Sequence, residues 1–551
     1  MAGASADVYP VWPNLAAMML DRAATWPDRP MLRHFAARSW HGISWQRFAE
    51  RAAAAAGLRA HGVEPGDRVL LCSENRPEVL IAEVALMALG AVPMPAYTTN
   101  LPADHAWLLA DSQARLAVAS TPNLAERVTA GAQLTGKTLP VLAFDAVETA
   151  AADPALLRAE AARIAPGQLA CLIYTSGTSG QPRGVMLSHR AILANLRGAA
   201  EMVRPLAFRD EVYLSFLPLS HAYEHTIGGF FLPSLGVEIA YGRGMEHLST
   251  DFRAVRPTII TAVPRILDVV QSRILGSLAR GPAWKRRVFL QALAAGLRRI
   301  DGRDTILDHL LRAFHEKHVY ATIAARFGGR LRAVMSGGAR LDPDLERFYR
   351  ALGLLVMQGY GQTEAGPVIA ANTPGAMRTG TVGRTLDGVD LHIAPDGEIL
   401  VRGDLVMDGY WNQPEATAAA LRDGWLHTGD VGHLDAEGFL AVSDRKRDLI
   451  VLSGGENVSP ARVEAALCAE PEIEQAVVAG DGKSGLYALL VPAPASADAA
   501  LAEAVIRVNA RLAAHERIRR HRSVPAFTVE NGLLTPSHKI RRALVLKAHG
   551  E

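Results

Sequence analysis

The sequence predicts an α/β protein: a large N-terminal domain of doubly wound sheets with a β-rich subdomain, then a small α+β C-terminal domain. Three observations predict it. Arg68 to Cys72 (RVLLC), the helical run Pro77 to Leu89 and the strand-like AVPMP follow one another as a parallel crossover unit does. After Pro395-Asp396-Gly397-Glu398 the pattern changes to short alternating runs broken by turns: EILVRG, GWLHTGDVG and GFLAVSD. The charged cluster Asp444-Arg445-Lys446-Arg447-Asp448 then interrupts it, and strand–helix alternation restarts for about a hundred residues. The expected domains are therefore 1–446 and 447–551.

A chain of 551 residues is too long for one ordinary domain. At 49% hydrophobic and 21% charged it has the composition of a soluble globular protein with large cores. Lys and Arg number 58 against 56 Asp and Glu, a formal +2, which argues against nucleic acid as main partner. Cys72, Cys171 and Cys468 are odd in number and far apart, so no disulfide framework or Cys-based metal site is expected. The start MAGASADVYPVWPNL lacks the basic and apolar parts of a secretory signal. No apolar run is long enough to span a bilayer. The cytoplasm is the expected location.

In chain order, Leu15 to Gly57 reads as helical and amphipathic, ending in the alanines Ala52–Ala56. Pro65-Gly66-Asp67 is a turn before the RVLLC strand. Strand-like runs recur at Leu116–Ala119, Val141–Phe144 and Leu169–Tyr174. In doubly wound sheets ligands sit beyond the carboxyl ends of strands, which places a site after Tyr174. A helix, His189 to Glu201, and a strand lead into LPLSHAYEHTIGGFF. His221 and His225 in that stretch could hold a metal, but no third ligand lies near, so a histidine and aromatics lining an apolar pocket is the better reading. RPTIITAVPRILDVV reads as strand then helix, and Gln271 to Phe327 as a mainly helical insertion. Within it KRRVFLQALAAGLRRI puts Phe289, Leu293, Leu297 and Ile300 on one face between arginines. That face reads first as packed on the domain, and second as a contact with an anionic membrane. Leu331 to Ser336 is a strand before Gly337-Gly338-Ala339, and Leu354 to Gln358 leads into GYGQTEAG. In the last region LIVLSGGENVSP reads as strand and loop, with a helix near Ala461–Ala469 and a strand near Gln475–Val478.

One stretch carries chemistry of its own. Leu172 to Ser188, LIYTSGTSGQPRGVMLS, crowds hydroxyls among glycines between two apolar runs. Glycines let backbone N–H groups curl toward an anion, hydroxyls add donors, and Arg183 offsets charge. It is not the common P-loop, since no Gly-Lys-Ser/Thr ends the spacing. Alone, the stretch reads equally as a phosphate loop or as a Gly/Ser hairpin turn.

The neighbours decide. YTSGTSGQPRG, GYGQTEAG, WLHTGD and NGLLTPSHKIRR stand in that order, with DRKRDLIVLSGGENVSP between the last two. With these the chain resembles the adenylate-forming superfamily of acyl-CoA synthetases, peptide-synthetase adenylation domains and luciferases, from about Leu15 to Arg542. Through LPLSHAYE, RPTIITAVPRIL, the helical insertion before RLRAVMSGGARL, LIVLSGGENVSP and LLTPSHKIRR, it is most similar to long-chain fatty acyl-CoA synthetases. The resemblance implies two steps. A carboxylate attacks the α-phosphorus of ATP to give acyl-AMP and pyrophosphate, and a thiol then displaces AMP.

It also implies roles. Thr175, Ser176, Gly177, Thr178, Ser179 and Gly180 would wrap the β- and γ-phosphates. Arg183 would serve where relatives carry Lys, as a bidentate phosphate partner. Tyr360 would stack on adenine, Thr363 would touch the α-phosphate, and Glu364 would hold Mg²⁺. Gly338 and Ala339 would pass close to the adenine, where a larger side chain would obstruct it. Asp430 and Arg445 would contact the ribose. Arg447 would be the hinge of a mobile C-terminal domain. Lys539 would reach the α-phosphate during adenylation. His221 would lie at the mouth of the acyl pocket, and Gly454, Gly455 and Glu456 beside the pantetheine path.

The expected function is ATP- and Mg²⁺-dependent activation of a long- or medium-chain fatty acid and its transfer to coenzyme A. The first rival is a ligase that delivers the acyl group to an acyl carrier protein. The second is a non-catalytic nucleotide- or lipid-binding relative, against which Thr363, Glu364, Asp430 and Lys539 together argue. A peripheral contact at the inner membrane face is a further expectation.

Overall fold

The computed structural model describes residues 9–148, 152–175, 182–446, 448–453, 456–494, 496–535 and 539–550. Its largest sheet has nine strands. Six are parallel, in the spatial order Leu355–Gly361, Ala333–Ser336, Ile259–Ala262, Val212–Ser215, Glu238–Tyr241 and Pro30–Ala36. Val368–Ala371 and Arg384–Thr385 extend one edge antiparallel, and Ser39–Ser44 the other. Alternation along these strands fills two cores. Tyr213 and Ile239 pack on one face with Phe230 and Phe231, whereas Leu214 and Ala240 pack on the other with Phe252, Phe289 and Tyr349. A sheet buried on both faces is what the apolar runs predict.

A second, four-stranded parallel sheet orders Val92–Ala96, Arg68–Cys72, Leu116–Ala119 and Val141–Ala143. The β-rich part is a five-stranded antiparallel sheet built on Trp425–Leu434, which pairs with Glu398–Arg402, Leu421–Arg422 and Leu440–Arg445. Toward the C-terminus Ile473–Ala479, Leu486–Pro492 and Ile518–Ser523 form a three-stranded sheet. Helices Pro460–Cys468 and Asp498–Asn509 bury Val463, Leu467, Leu501 and Val505 on one of its faces, and Phe527 and Val545 cover the other.

Three expectations need correction. Leu15 to Gly57 is not one helical region. Helices Leu15–Thr25 and Trp45–Ala55 flank a hairpin, Pro30–Ala36 with Ser39–Ser44. Its turn holds Ala37 and Arg38 at φ 46° and 66°, without the glycine or asparagine that usually marks such a turn. Leu169–Thr175 does not join a parallel sheet: it pairs antiparallel with Arg183–Ser188, and Gly409–Tyr410 adds a third strand. The glycine stretch is therefore the connection of a hairpin, with Thr175 and Arg183 as cross-strand neighbours. LIVLSGGENVSP is likewise a small hairpin, Ile450–Val451 with Asn457–Val458.

In the helical insertion the first expectation holds for Phe289, which is buried with Ala292 and Ala295 where helix Ala283–Ile300 meets helix Pro343–Ala351. Leu293, Leu297 and Ile300 are half-buried.

Candidate active site

The strand Leu355–Gly361 carries Tyr360 at its end and runs into a single 3₁₀ turn, Thr363–Ala365. Gly361 is needed there, since a Cβ would stand 1.9 Å from the Pro367 carbonyl oxygen of the returning chain. The turn leaves Thr363 and Glu364 half-buried at the carboxyl end of the parallel sheet, the place such sheets offer to ligands. Gly338 and Ala339 follow the neighbouring strand and are exposed. Gly338 has φ +79°, and a Cβ on it would meet only Val263 Cγ1 at 3.6 Å. That positive φ by itself favours glycine.

The Tyr360 hydroxyl donates to Asp430 Oδ2 at 2.7 Å. Arg445 Nε holds Asp430 Oδ1 at 2.8 Å from the adjacent strand, where the two residues are register partners. The Asp430 carboxylate is 5% exposed. Burial and the adjacent carboxylate push the Tyr360 phenol well above its ordinary value, so it remains a donor. Tyr360, Asp430 and Arg445 thus form one polar unit at the lip of the site.

Glu364 Oε1 accepts from the Tyr410 hydroxyl at 2.8 Å. The Arg183 guanidinium lies over the Tyr410 ring, 5.2 Å from its centre. Tyr410 therefore joins the cation after the glycine stretch to the carboxylate of GYGQTEAG. Sequence reasoning missed it, although its strand partner is Val185, two residues past Arg183. Thr175 is half-buried at the other end of the hairpin connection. Ser176, Gly177, Thr178, Ser179 and Gly180 lie outside the described residues, as do Arg447, Gly454 and Gly455.

His221 caps helix Ala222–Thr226, its Nδ1 accepting from the Tyr223 N–H at 3.2 Å. Burial, with the Lys539 ammonium in reach, lowers its pKa to about 4 and keeps the imidazole neutral. Of its neighbours, Tyr223 packs against the apolar core, whereas Glu224 turns to hydroxyls of the sheet. Glu224 is fully buried and accepts from Tyr213 at 2.6 Å, Ser215 at 2.6 Å and Thr261 at 2.9 Å. Desolvation outweighs these donors and raises its pKa to about 7. Asn75 bonds the Ser215 hydroxyl and the backbone of Leu217 and Leu219, fixing the loop that leads to His221. His225 is buried with its Nε2 3.3 Å from Glu83 Oε1. No group of His, Cys, Asp and Glu among the described residues has the arrangement of a metal cage.

Lys539 comes from the other end of the chain. The Lys539 N–H donates to the Thr535 hydroxyl at 3.0 Å, and the Thr535 N–H to the Lys539 carbonyl at 2.8 Å, closing the loop that presents it. Residue 539 keeps exposed surface. Desolvation and Arg445 lower the pKa of its ammonium against the pull of Glu364 and Asp430. Lys539 thus lies within electrostatic reach of Arg445, Glu364, Asp430 and His221. An anion bound among these groups would meet two cations.

Before Arg447 the chain is anchored. Lys446 Nζ reaches Asp396 Oδ2 at 2.6 Å and Glu398 Oε2 at 2.9 Å. Asp444 Oδ2 accepts from Ser459, the cap of the next helix, at 2.5 Å. Beside the site a mainly apolar cavity of about 870 Å³ lies between Val263, Ile266, Phe252 and Leu534.

Residues 20–411 match the family described as AMP-binding enzyme, and residues 447–551 match the AMP-binding enzyme C-terminal domain. The chain is 34% identical to long-chain-fatty-acid–CoA ligase FadD15 of Mycobacterium tuberculosis, over 97% of this chain and 95% of that protein. It is 32% identical to the peroxisomal long chain acyl-CoA synthetase 7 of Arabidopsis thaliana, over 91% and 79%. O-succinylbenzoate coenzyme A synthetase from Bacillus subtilis, solved in complex with AMP, superposes with a TM-score of 0.73 at 24% identity, covering 97% of this chain and 98% of that one. The same enzyme has been solved with ATP and a magnesium ion.

Proposed function

The chain belongs to the AMP-binding enzyme family, and we propose that it is an AMP-forming acid–thiol ligase that activates a long- or medium-chain fatty acid and transfers it to coenzyme A. Relatives named long-chain-fatty-acid–CoA ligase, matched over nearly the whole chain, support the reaction and the substrate class. The observation that carries the mechanism is the approach of Lys539, from the region 447–551, to Glu364, Asp430, Arg445 and His221 of the region before it.

In the first step a carboxylate oxygen of the fatty acid bonds to the α-phosphorus, and the bond from that phosphorus to the bridging oxygen of pyrophosphate breaks. Negative charge gathers on the α-phosphoryl oxygens. Lys539 and Thr363 meet it, the lysine as a cation and the threonine as a hydroxyl donor. Asp430, oriented by Tyr360 and Arg445, accepts from the ribose hydroxyls. Arg183 and the 175–180 stretch hold the outer phosphates. One carboxylate, Glu364, together with phosphate oxygens is a donor set that suits Mg²⁺, which retains waters and rarely takes an all-protein cage. Mg²⁺ bound there would neutralise phosphate charge. Tyr410 orients the carboxylate for it.

In the second step the thiol sulfur bonds to the acyl carbon, and the bond to the AMP oxygen breaks. Lys539 has no task then, and the 454–456 stretch is read as lining the thiol's path. We assign the hinge to Arg447: Lys446 is pinned to the β-rich sheet, so rotation must begin after it. The domains are then 1–446 and 447–551. Coenzyme A is preferred as acceptor over a carrier protein, which remains the rival.

The test is a series of carboxylates of increasing length, read by ATP–pyrophosphate exchange and by thioester formation with coenzyme A and with acyl carrier protein. Exchange rising with chain length, and thioester formed on coenzyme A, is expected. Exchange with no carboxylate would overturn the reading, and thioester formed only on the carrier protein would replace the acceptor.

A further inference from the structure

The cavity of about 870 Å³ is bounded by three helices, Leu248–Val255, Pro264–Ala279 and Ala321–Arg326. Such a volume is within the range of ligand sites, roughly 300–1,000 Å³. Phe252, Ile266, Val270 and Phe327 give it an apolar lining. They pack on the face of the nine-stranded sheet that holds Leu214, whereas Tyr223, beside His221, packs on the face that holds Tyr213. The cavity is therefore separate from the stretch around His221.

Its charge is of one sign. Arg253, Arg265, Arg273 and Arg326 line it, and among the described residues no Asp or Glu does, in a chain with 58 Lys and Arg against 56 Asp and Glu. Arg265, Val269 and Arg273 recur every four residues and so share one side of their helix. All three are exposed. Neither Arg265 nor Arg273 is hydrogen-bonded or ion-paired through its side chain to a described residue. Asp268 feels Arg265 along the helix but is not part of the lining. Arg253 donates to the Ser249 carbonyl at 3.2 Å and Arg326 to the Ser277 hydroxyl at 3.1 Å, which leaves each with further N–H donors.

The remaining lining residues, Gln475 and Leu534, come from the region 447–551. Gln475 is fixed, because its side-chain amide exchanges hydrogen bonds with the backbone of Phe527 at 3.1 and 2.8 Å. Leu534 precedes Thr535, whose bonds with Lys539 close the presenting loop, and it is bridged to Ile540 across that loop. One wall of the cavity is thus the segment that presents Lys539.

We propose that this cavity is a second ligand site, which takes a long-chain acyl thioester of coenzyme A with its chain on the apolar lining and its phosphates on the arginines. A guanidinium binds phosphate bidentately, and four of them exceed what one carboxylate would occupy. The use of the site rests on the ligase reading, in which this thioester is the product. Because Gln475 and Leu534 close one side, the ligand has its full contact only while Lys539 is presented. It favours that arrangement by the affinity it would lose in the other. Accumulated product then holds back the rotation into the second step.

The test is calorimetric titration of the full chain with S-hexadecyl-coenzyme A, a thioether that cannot be turned over, after the active site has been filled with hexadecanoyl sulfamoyl adenosine. The thioether should bind, less tightly as salt is raised, and coenzyme A without a chain should bind about tenfold more weakly or worse. The double variant Arg265→Glu/Arg273→Glu should weaken thioether binding about tenfold or more. Both positions are exposed, so its melting temperature and its pyrophosphate exchange with octanoate should match wild type. In single turnover from preformed octanoyl-AMP at saturating coenzyme A, the thioether should slow thioester formation several-fold in wild type and not in the variant. No binding to the filled enzyme, or equal binding by the variant, overturns the site. Palmitate bound as tightly as the thioether overturns the assignment of the phosphates to the arginines. An unslowed second step overturns the coupling to Lys539. Absence of exchange in the wild type counts against the ligase reading and leaves the titration result as it stands.

Discussion

Tyr360 and Asp430, 70 positions apart, share a hydrogen bond of 2.7 Å, and Arg445 closes the other side of the carboxylate. One residue ends a parallel strand of the large sheet and the other belongs to the β-rich sheet. Their meeting ties the two sheets together at the candidate site.

Asp430→Asn should keep the fold and lose the charged acceptor, leaving Arg445 without its counter-charge. Hydrogen bonds to charged groups contribute about 1.5–3 kcal/mol, so the apparent KM for ATP should rise about tenfold or more. Steady-state kinetics at saturating carboxylate would check it. An unchanged KM would detach Asp430 from the nucleotide.

Glu364→Ala should remove most adenylation at ordinary Mg²⁺, because the triphosphate charge is then left unbalanced. Tyr410→Phe should be milder. It deletes one donor to Glu364, worth about 1 kcal/mol, and should raise the Mg²⁺ needed for half-activity by a few-fold. Mg²⁺ titrations of pyrophosphate exchange separate the two. Equal loss in both variants would mean that Tyr410 acts by some other route.

Glu224 gives a prediction about pH. Its carboxyl is raised from an ordinary 4.5 to about 7 by burial. The folded state thus holds a proton that the unfolded state releases. The stabilisation is fully present below about 4.5 and is lost as pH rises through about 7, amounting to about 3 kcal/mol at most. Glu224→Gln keeps the shape and cannot titrate. The melting temperature of wild type relative to this variant should therefore fall between pH 4.5 and 7. A constant difference across that range would contradict it.

Much of this was legible in the sequence, for identifiable reasons. The parallel strands announce themselves as apolar runs because the sheet is buried on both faces, as Tyr213 and Leu214 show by entering different cores. Thr363, Glu364, Asp430 and Lys539 are legible as candidates because each stands inside a short motif. Tyr410 was not, since its meaning lies in Glu364, 46 positions away. The hairpin at Pro30–Ser44 was hidden by a turn built on Ala37 and Arg38. Glu224 was visible as a residue but not as a buried acid, because the three hydroxyls that hold it come from two strands outside its own helix.

The central claim is that one small domain serves two chemistries by changing the face it presents. The direct measurement is the rate of each half-reaction in Lys539→Ala. Adenylation, followed by pyrophosphate exchange, should fall about 10²-fold or more. Thioester formation from preformed acyl-AMP and coenzyme A should stay close to wild type. Arg447→Pro, which opposes rotation, should give the reverse pattern. Equal impairment of both steps by Lys539→Ala, or impairment of neither by Arg447→Pro, would contradict the account.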